Sequence, residues 1–149
     1  MLSHGSKKEC AMSLIGVLHT AKTETTGGRE YGISRSSDGL LDIRLSRPGL
    51  ERIGTNPEQL FAAAWSASFA DAIVLAARKR NIALPAKVSI DAEIDLNLGE
   101  RGYFLSSRLN VRIPGLEHNV AKKLVDEAEK SCPYSKATYG NIDVTIKLI

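Results

Sequence analysis

From Leu60 to Ala77 the chain is apolar at almost every position, broken only by Ser66, Ser68 and Asp71. The pattern predicts a helix with no wet face, which must be covered on all sides. Its ends are marked. Asn56 is placed to cap free backbone N–H groups, Pro57 suits the first helical position, and Gln59 stands where a capping-box partner belongs. Arg78, Lys79 and Arg80 put cations at the negative end of the helix dipole. The run is nearly long enough for a membrane span. Its many alanines, an aspartate that lipid would penalise and amphipathic segments on both sides favour a core helix instead.

Strand patterns flank this helix. Ser13 to Glu24 reads as a first strand ended by Thr25-Thr26-Gly27-Gly28, and Arg29 to Arg35 as a second closed by Ser36-Ser37-Asp38-Gly39. Leu41, Ile43 and Leu45 alternate with polar residues as a third. Beyond the helix, Val88, Ile90, Ala92, Ile94, Leu96 and Leu98 face one way and polar residues the other. Gly99-Glu100-Arg101-Gly102 should turn that strand into Tyr103–Ile113. After Pro114-Gly115, Glu117 to Ser131 carries a helical stripe of Val120, Leu124, Ala128 and Cys132, ended by Pro133. Asn141 to Ile149 alternates again as a last strand.

The predicted order is βββ-α-ββ-α-β, an α+β fold with antiparallel sheets, wet outside and helix-covered inside. One such sheet and one short helix cannot cover a long helix that is apolar all round. A second copy of the chain could, so burial alone argues for a homodimer.

Composition adds exclusions. The chain has 149 residues, ample for one domain with a core. The net charge of +3 is scattered, with no basic stripe interleaved with aromatics, so nucleic acid is not an expected partner. Two cysteines, Cys10 and Cys132, are too few for a secreted disulfide scaffold, and a cytoplasmic location is expected. No membrane partner is expected either. Residues 1–11 lack periodicity and read as a disordered extension or expression remnant, with Met12 as a natural start and 12–149 as the single domain. There is no cluster with metal-ligand spacing and no phosphate loop, so no bound cofactor or metal is expected.

Taken singly, the candidate residues favour structural roles. Cys132 lies on an apolar stripe and suits a small buried hydrophobe. Arg29 follows Gly27-Gly28 at a hairpin edge, Glu58 favours the dipole of the first helical turn, and Asp71 suits a helix contact. Ser66 and Ser68 are mid-helix, outside any nucleophile elbow, and the three histidines (His4, His19, His118) offer no obvious base.

Three longer motifs change the weighting. Thr55-Asn56-Pro57-Glu58-Gln59-Leu60-Phe61-Ala62-Ala63, Cys132-Pro133-Tyr134-Ser135-Lys136-Ala137-Thr138 with Gly140-Asn141-Ile142-Asp143-Val144, and Thr26-Gly27-Gly28-Arg29 resemble the organic hydroperoxide resistance proteins. These form a branch of the OsmC-like superfamily, and the resemblance runs from about Met12 to Ile149. It implies an intertwined homodimer with two central helices and active sites where the subunits meet. It implies a two-cysteine peroxidase of alkyl and lipid hydroperoxides, recycled by dihydrolipoyl groups on lipoylated proteins. Carried over by residue, Arg29 would hold the thiolate and polarise the peroxide, Glu58 would fix Arg29, and Cys132 would be the resolving cysteine. Leu60, Phe61, Trp65 and Phe69 would wall an apolar substrate pocket.

One departure stands out. The family pattern is similar to Ala-Cys-Phe in the central helix, whereas this chain reads Ala67-Ser68-Phe69. A thiol near pKa ~8.5 is lowered by a neighbouring cation and accepts oxygen as a sulfenic acid; a serine hydroxyl does neither. The chain as written is expected to be inactive. Serine differs from cysteine by one atom and the other motif residues are in place, which favours a replaced cysteine over a naturally silent homologue. The alternative is a non-catalytic paralogue that binds or senses a small hydrophobic or lipoyl-like ligand. Ala64 and Trp65, where the family often resembles Gly-Tyr, are smaller departures.

Overall fold

The computed structural model describes residues 15–149. Residues 1–11, Cys10 and the expected start of the first strand at Ser13 lie outside the described residues.

The central helix, α2 (Pro57–Lys79), has the predicted ends. The Asn56 side chain accepts from the Gln59 N–H at 2.8 Å. Gln59 does not complete the reciprocal bond of a capping box; its Oε1 accepts from the Thr55 hydroxyl at 2.7 Å. One stripe of α2, made by Trp65, Phe69, Ala72, Ile73, Ala76 and Ala77, is buried. It joins Leu109, Val111, Leu124, Ala128 and Cys132 in a single core. The opposite stripe is open in the protomer, with Ala63 and Ala67 exposed and Leu75 45% exposed. By length and composition α2 could cross a membrane, yet its large side chains are the core of this fold.

The C-terminal sheet, behind α2, has three strands that lie side by side in chain order. Strands β4 (Ser89–Gly99) and β5 (Gly102–Arg112) form the expected hairpin, paired from Ser89↔Arg112 to Gly99↔Gly102. Helix α3 (His118–Ser131) is capped by the Glu117 carboxylate, which accepts from the N–H groups of Asn119 and Val120. Of its expected stripe, Leu124, Ala128 and Cys132 are buried and Val120 is half-buried, with Ala121 and Val125 buried beside them.

Four features differ from expectation. Strand β6 (Asp143–Leu148) pairs with β5 in parallel rather than antiparallel. The reason is the connection: α3 carries the chain back along the sheet, the crossover a parallel neighbour needs. Pro133 does not simply end α3, because a six-residue helix, α4 (Pro133–Thr138), starts there with proline at a position that needs no N–H. At the other end, β1 is only Thr23–Thr26, and Ile15 to Lys22 form no ladder, since a strand exists only where another pairs with it.

The expected strand at Arg29–Arg35 is likewise replaced by a helical turn, α1 (Gly28–Tyr31), followed by β2 (Ile33–Ser36). Gly27 and Gly28 both have positive φ, 77° and 65°. A Cβ on Gly32 would sit 2.2 Å from the Gly28 carbonyl oxygen. Only glycines let the chain fold back this tightly, and the turn lifts Arg29 off the sheet. Strands β1 and β2 and β3 (Asp42–Arg44) form an antiparallel sheet in that order. It is tied to the entrance of α2 through a bridge between Leu45 and Thr55.

Candidate active site

Two pairs of the expected residues are in contact. On α2, Ser68 faces the junction of α3 and α4, where Cys132 is both the C-cap of one helix and the N-cap of the next. The Cys132 thiol, fully buried, donates to the Ser68 hydroxyl with Sγ···Oγ at 3.6 Å. The placement follows from the sequence. Ala128 and Cys132 continue the buried stripe of α3, and that stripe packs against α2. Ser68 also lines a cleft of about 570 Å³ between α2 and α3, with Asp71, Leu75, Lys79, Glu127 and Lys130 on its walls.

The second pair is Arg29 and Glu58. The guanidinium makes a two-pronged contact, Nη1 to Oε2 at 3.2 Å and Nη2 to Oε1 at 2.9 Å. Such fork geometry is the strong form of a charge-assisted hydrogen bond. The hydrogen bond to Glu58 raises the Arg29 pKa above its usual value, so the cation is permanent. Glu58 is held by the first turn of α2, and Arg29 by the α1 turn that the paired glycines create. Both line a separate pocket of about 640 Å³, with Glu30, Arg47, Ile94, Leu96 and Tyr103.

Within one chain the two pairs do not meet. Glu58 and Ser68 are ten residues apart on one helix, about 15 Å along its axis, and they line different pockets. The four apolar residues expected to wall a substrate pocket also separate. Phe69 is enclosed in the core, since Trp65, Phe69 and Ile73 share the buried stripe. Trp65 is fully buried too, and its indole N–H donates to the Ser135 hydroxyl at 3.2 Å. Leu60 and Phe61 are half-buried, and Phe61 lies against Trp65 and Tyr134, with ring centroids 5.5 and 6.4 Å away.

Sequence reasoning missed some neighbours. Glu30 and Arg47 form an ion pair at 3.5 Å beside Arg29, and Tyr103 is close enough to act on the Arg29 charge. Arg80 closes the Ser68 cleft by pairing with Glu127, its Nε 2.8 Å from Oε1. The only signal for these was a polar residue at an element's end, which most surface positions share. Among the described residues no group of His, Cys, Asp or Glu could hold a metal ion.

Residues 49–147 match the family described as OsmC-like protein, a span that runs from the loop before α2 to near the end of β6. The organic hydroperoxide resistance protein of Xanthomonas axonopodis pv. citri is 44% identical over 136 residues, covering 89% of this chain and 95% of that protein. A crystal structure of an organic hydroperoxide resistance protein from Legionella pneumophila superposes with a TM-score of 0.83 at 40% identity, covering 89% of this chain and 98% of that one. A further structure, from Vibrio cholerae, is described as a putative organic hydroperoxide resistance protein with captopril bound in one of the active sites. It is 36% identical with a TM-score of 0.80, covering 91% of this chain and 95% of that one. This chain belongs to the organic hydroperoxide resistance branch of the OsmC-like family.

Proposed function

We propose that the site is that of a thiol-dependent reductase of organic hydroperoxides, with Ser68 standing at the attacking position. The observation that carries this reading is the 3.6 Å contact between the Ser68 hydroxyl and the only cysteine of the described residues. A second sulfur at position 68 would be a close neighbour of Cys132.

With cysteine at 68, the thiolate attacks the distal oxygen of R–O–OH. An S–O bond forms, the O–O bond breaks, and the alkoxide leaves as the alcohol after taking a proton. The Cys132 thiol then attacks the sulfenic sulfur, forming S–S and releasing water. A dihydrolipoyl dithiol, free or on a lipoylated protein, reduces that disulfide by exchange and becomes a cyclic disulfide itself. The serine hydroxyl cannot take oxygen in this way, so the chain as written binds hydroperoxide without turning it over.

The cation for the thiolate is Arg29, held in its fork by Glu58. Because the two pairs are separated along α2, we assign Arg29 and Glu58 to the Ser68 site of a second copy. An intertwined homodimer would also cover the open face of α2, including Leu75. The description of the Vibrio cholerae relative, with a compound in one of its active sites, supports more than one site per assembly. Leu60 and Phe61 on α2 and Tyr134 on α4 supply apolar surface, which suits alkyl and lipid hydroperoxides over hydrogen peroxide. Such a protein acts in the cytoplasm, where thiol reductants are maintained. The test is Ser68→Cys protein mixed with an alkyl hydroperoxide and dihydrolipoamide. Alcohol formation absent from the parent chain is the expected result, and a folded, dimeric but inactive variant would overturn the reading.

A further inference from the structure

A third cavity, of about 840 Å³, lies between α3, α4 and β6 and is not used by the chemistry above. Its volume is within the ~300–1,000 Å³ range typical of small-molecule pockets. Ile142, Val144 and Ile146 form an apolar wall, with the buried Trp65 indole behind Ser135. The polar groups on the remaining walls are unevenly satisfied. Ser135 is 7% exposed; its oxygen accepts from the Trp65 indole, yet its own proton has no acceptor among the described residues. A buried donor left unused costs free energy until something accepts from it. Lys130 and Lys136 also line the cavity, and neither forms an ion pair among the described residues. Glu129 lines it as well and is likewise without an ion pair, leaving one excess positive charge.

We propose that this cavity binds a small amphipathic carboxylate. Its apolar body lies on Ile142, Val144 and Ile146, its carboxylate is attracted by Lys130 and Lys136, and Ser135, hydrogen-bonded to the Trp65 indole, donates its free proton to a ligand oxygen. Ser135 and Lys136 belong to the helix that Cys132 caps, so the ligand lies against the segment that positions the thiol.

The chain carries one tryptophan, Trp65, so its fluorescence is a local probe of this wall. The experiment titrates the full chain with decanoate, below its micelle concentration, and with decan-1-ol as the neutral control. A saturable change with decanoate is expected, with decan-1-ol weaker by about tenfold or more. Lys136→Glu, which alters an exposed side chain outside the Ser68 cleft, and the double variant Lys130→Glu/Lys136→Glu should each raise the decanoate half-saturation, the double variant by at least about tenfold. Arg29→Ala should leave the titration unchanged, which separates this cavity from the Arg29 pocket. Absence of saturation, equal binding of the alcohol, indifference to the lysine substitutions, or loss of the signal in Arg29→Ala would each overturn the proposal. None of these readouts depends on peroxidase activity.

Discussion

Ser68→Cys should let organic hydroperoxide close a disulfide to Cys132, and the bond should be measurable as stability. The two side chains are already in contact at 3.6 Å, so bonding requires rotation of the side chains and little movement of α2 or α4. They are 64 residues apart in sequence. Closing a loop of that length removes entropy from the unfolded chain worth roughly 4 kcal/mol at room temperature, and native strain subtracts from this upper value. For a protein of this size about 1 kcal/mol moves Tm by roughly 2–4 °C, so the oxidised variant should melt on the order of 10 °C above its reduced form. The assay is thermal unfolding of Ser68→Cys before and after one equivalent of alkyl hydroperoxide, with the parent chain as control and peptide mapping to locate the bond. The parent should not shift. A variant that consumes hydroperoxide but yields no crosslink between positions 68 and 132, with no rise in Tm, would refute the use of this contact as a resolving geometry.

Other outcomes follow from the same geometry. In the Ser68→Cys background, Arg29→Ala should lower the reaction with alkyl hydroperoxide by about 10²–10³, the scale for loss of one electrostatic donor. Glu58→Gln should cost less, because the neutral amide keeps a hydrogen bond, and circular dichroism should find both variants folded. Leu75→Asp puts a charge on the open face of α2; analytical ultracentrifugation should find the parent at twice the chain mass and the variant shifted toward the monomer. A parent that sediments as a monomer would remove the shared-site reading. Glu127 has its pKa lowered, first by the hydrogen bond from Arg80. A carboxylate with a depressed folded pKa stabilises above its unfolded value and loses that contribution as pH falls through the folded one. Arg80→Ala should therefore melt below the parent at neutral pH, and the difference should shrink as the pH falls below the ordinary carboxylate range.

Much of the fold was legible because the strongest patterns were long. The apolar run of α2, the alternation through β4 and β5 and the stripe of α3 each span several periods, and all four elements formed close to their expected limits. Short elements were not legible. Gly28–Tyr31 is a single helical turn dictated by two left-handed glycines, and α4 is six residues whose tyrosine, serine and lysine carry no clear period. The direction of β6 depends on how α3 returns the chain, which strand alternation does not encode. The site divides in the same way. Cys132 could be placed against the Ser68 helix from the stripe it ends. The partnership of Arg29 with Glu58 depends on contact across 29 positions, and residue types alone favoured separate structural roles. The cavity beside Trp65 needs three elements brought together by packing, so no local pattern announced it.

One atom at position 68, oxygen in place of sulfur, is expected to separate this chain from a working hydroperoxide reductase. The most direct measurement is steady-state turnover of the parent and of Ser68→Cys under identical conditions, with cumene hydroperoxide or hydrogen peroxide as oxidant and dihydrolipoamide as reductant. No turnover is expected from the parent, with sustained turnover of cumene hydroperoxide by Ser68→Cys and a much slower reaction of that variant with hydrogen peroxide. Turnover by the parent at a rate comparable to the variant, or a folded and dimeric Ser68→Cys protein that leaves cumene hydroperoxide intact, would contradict that expectation.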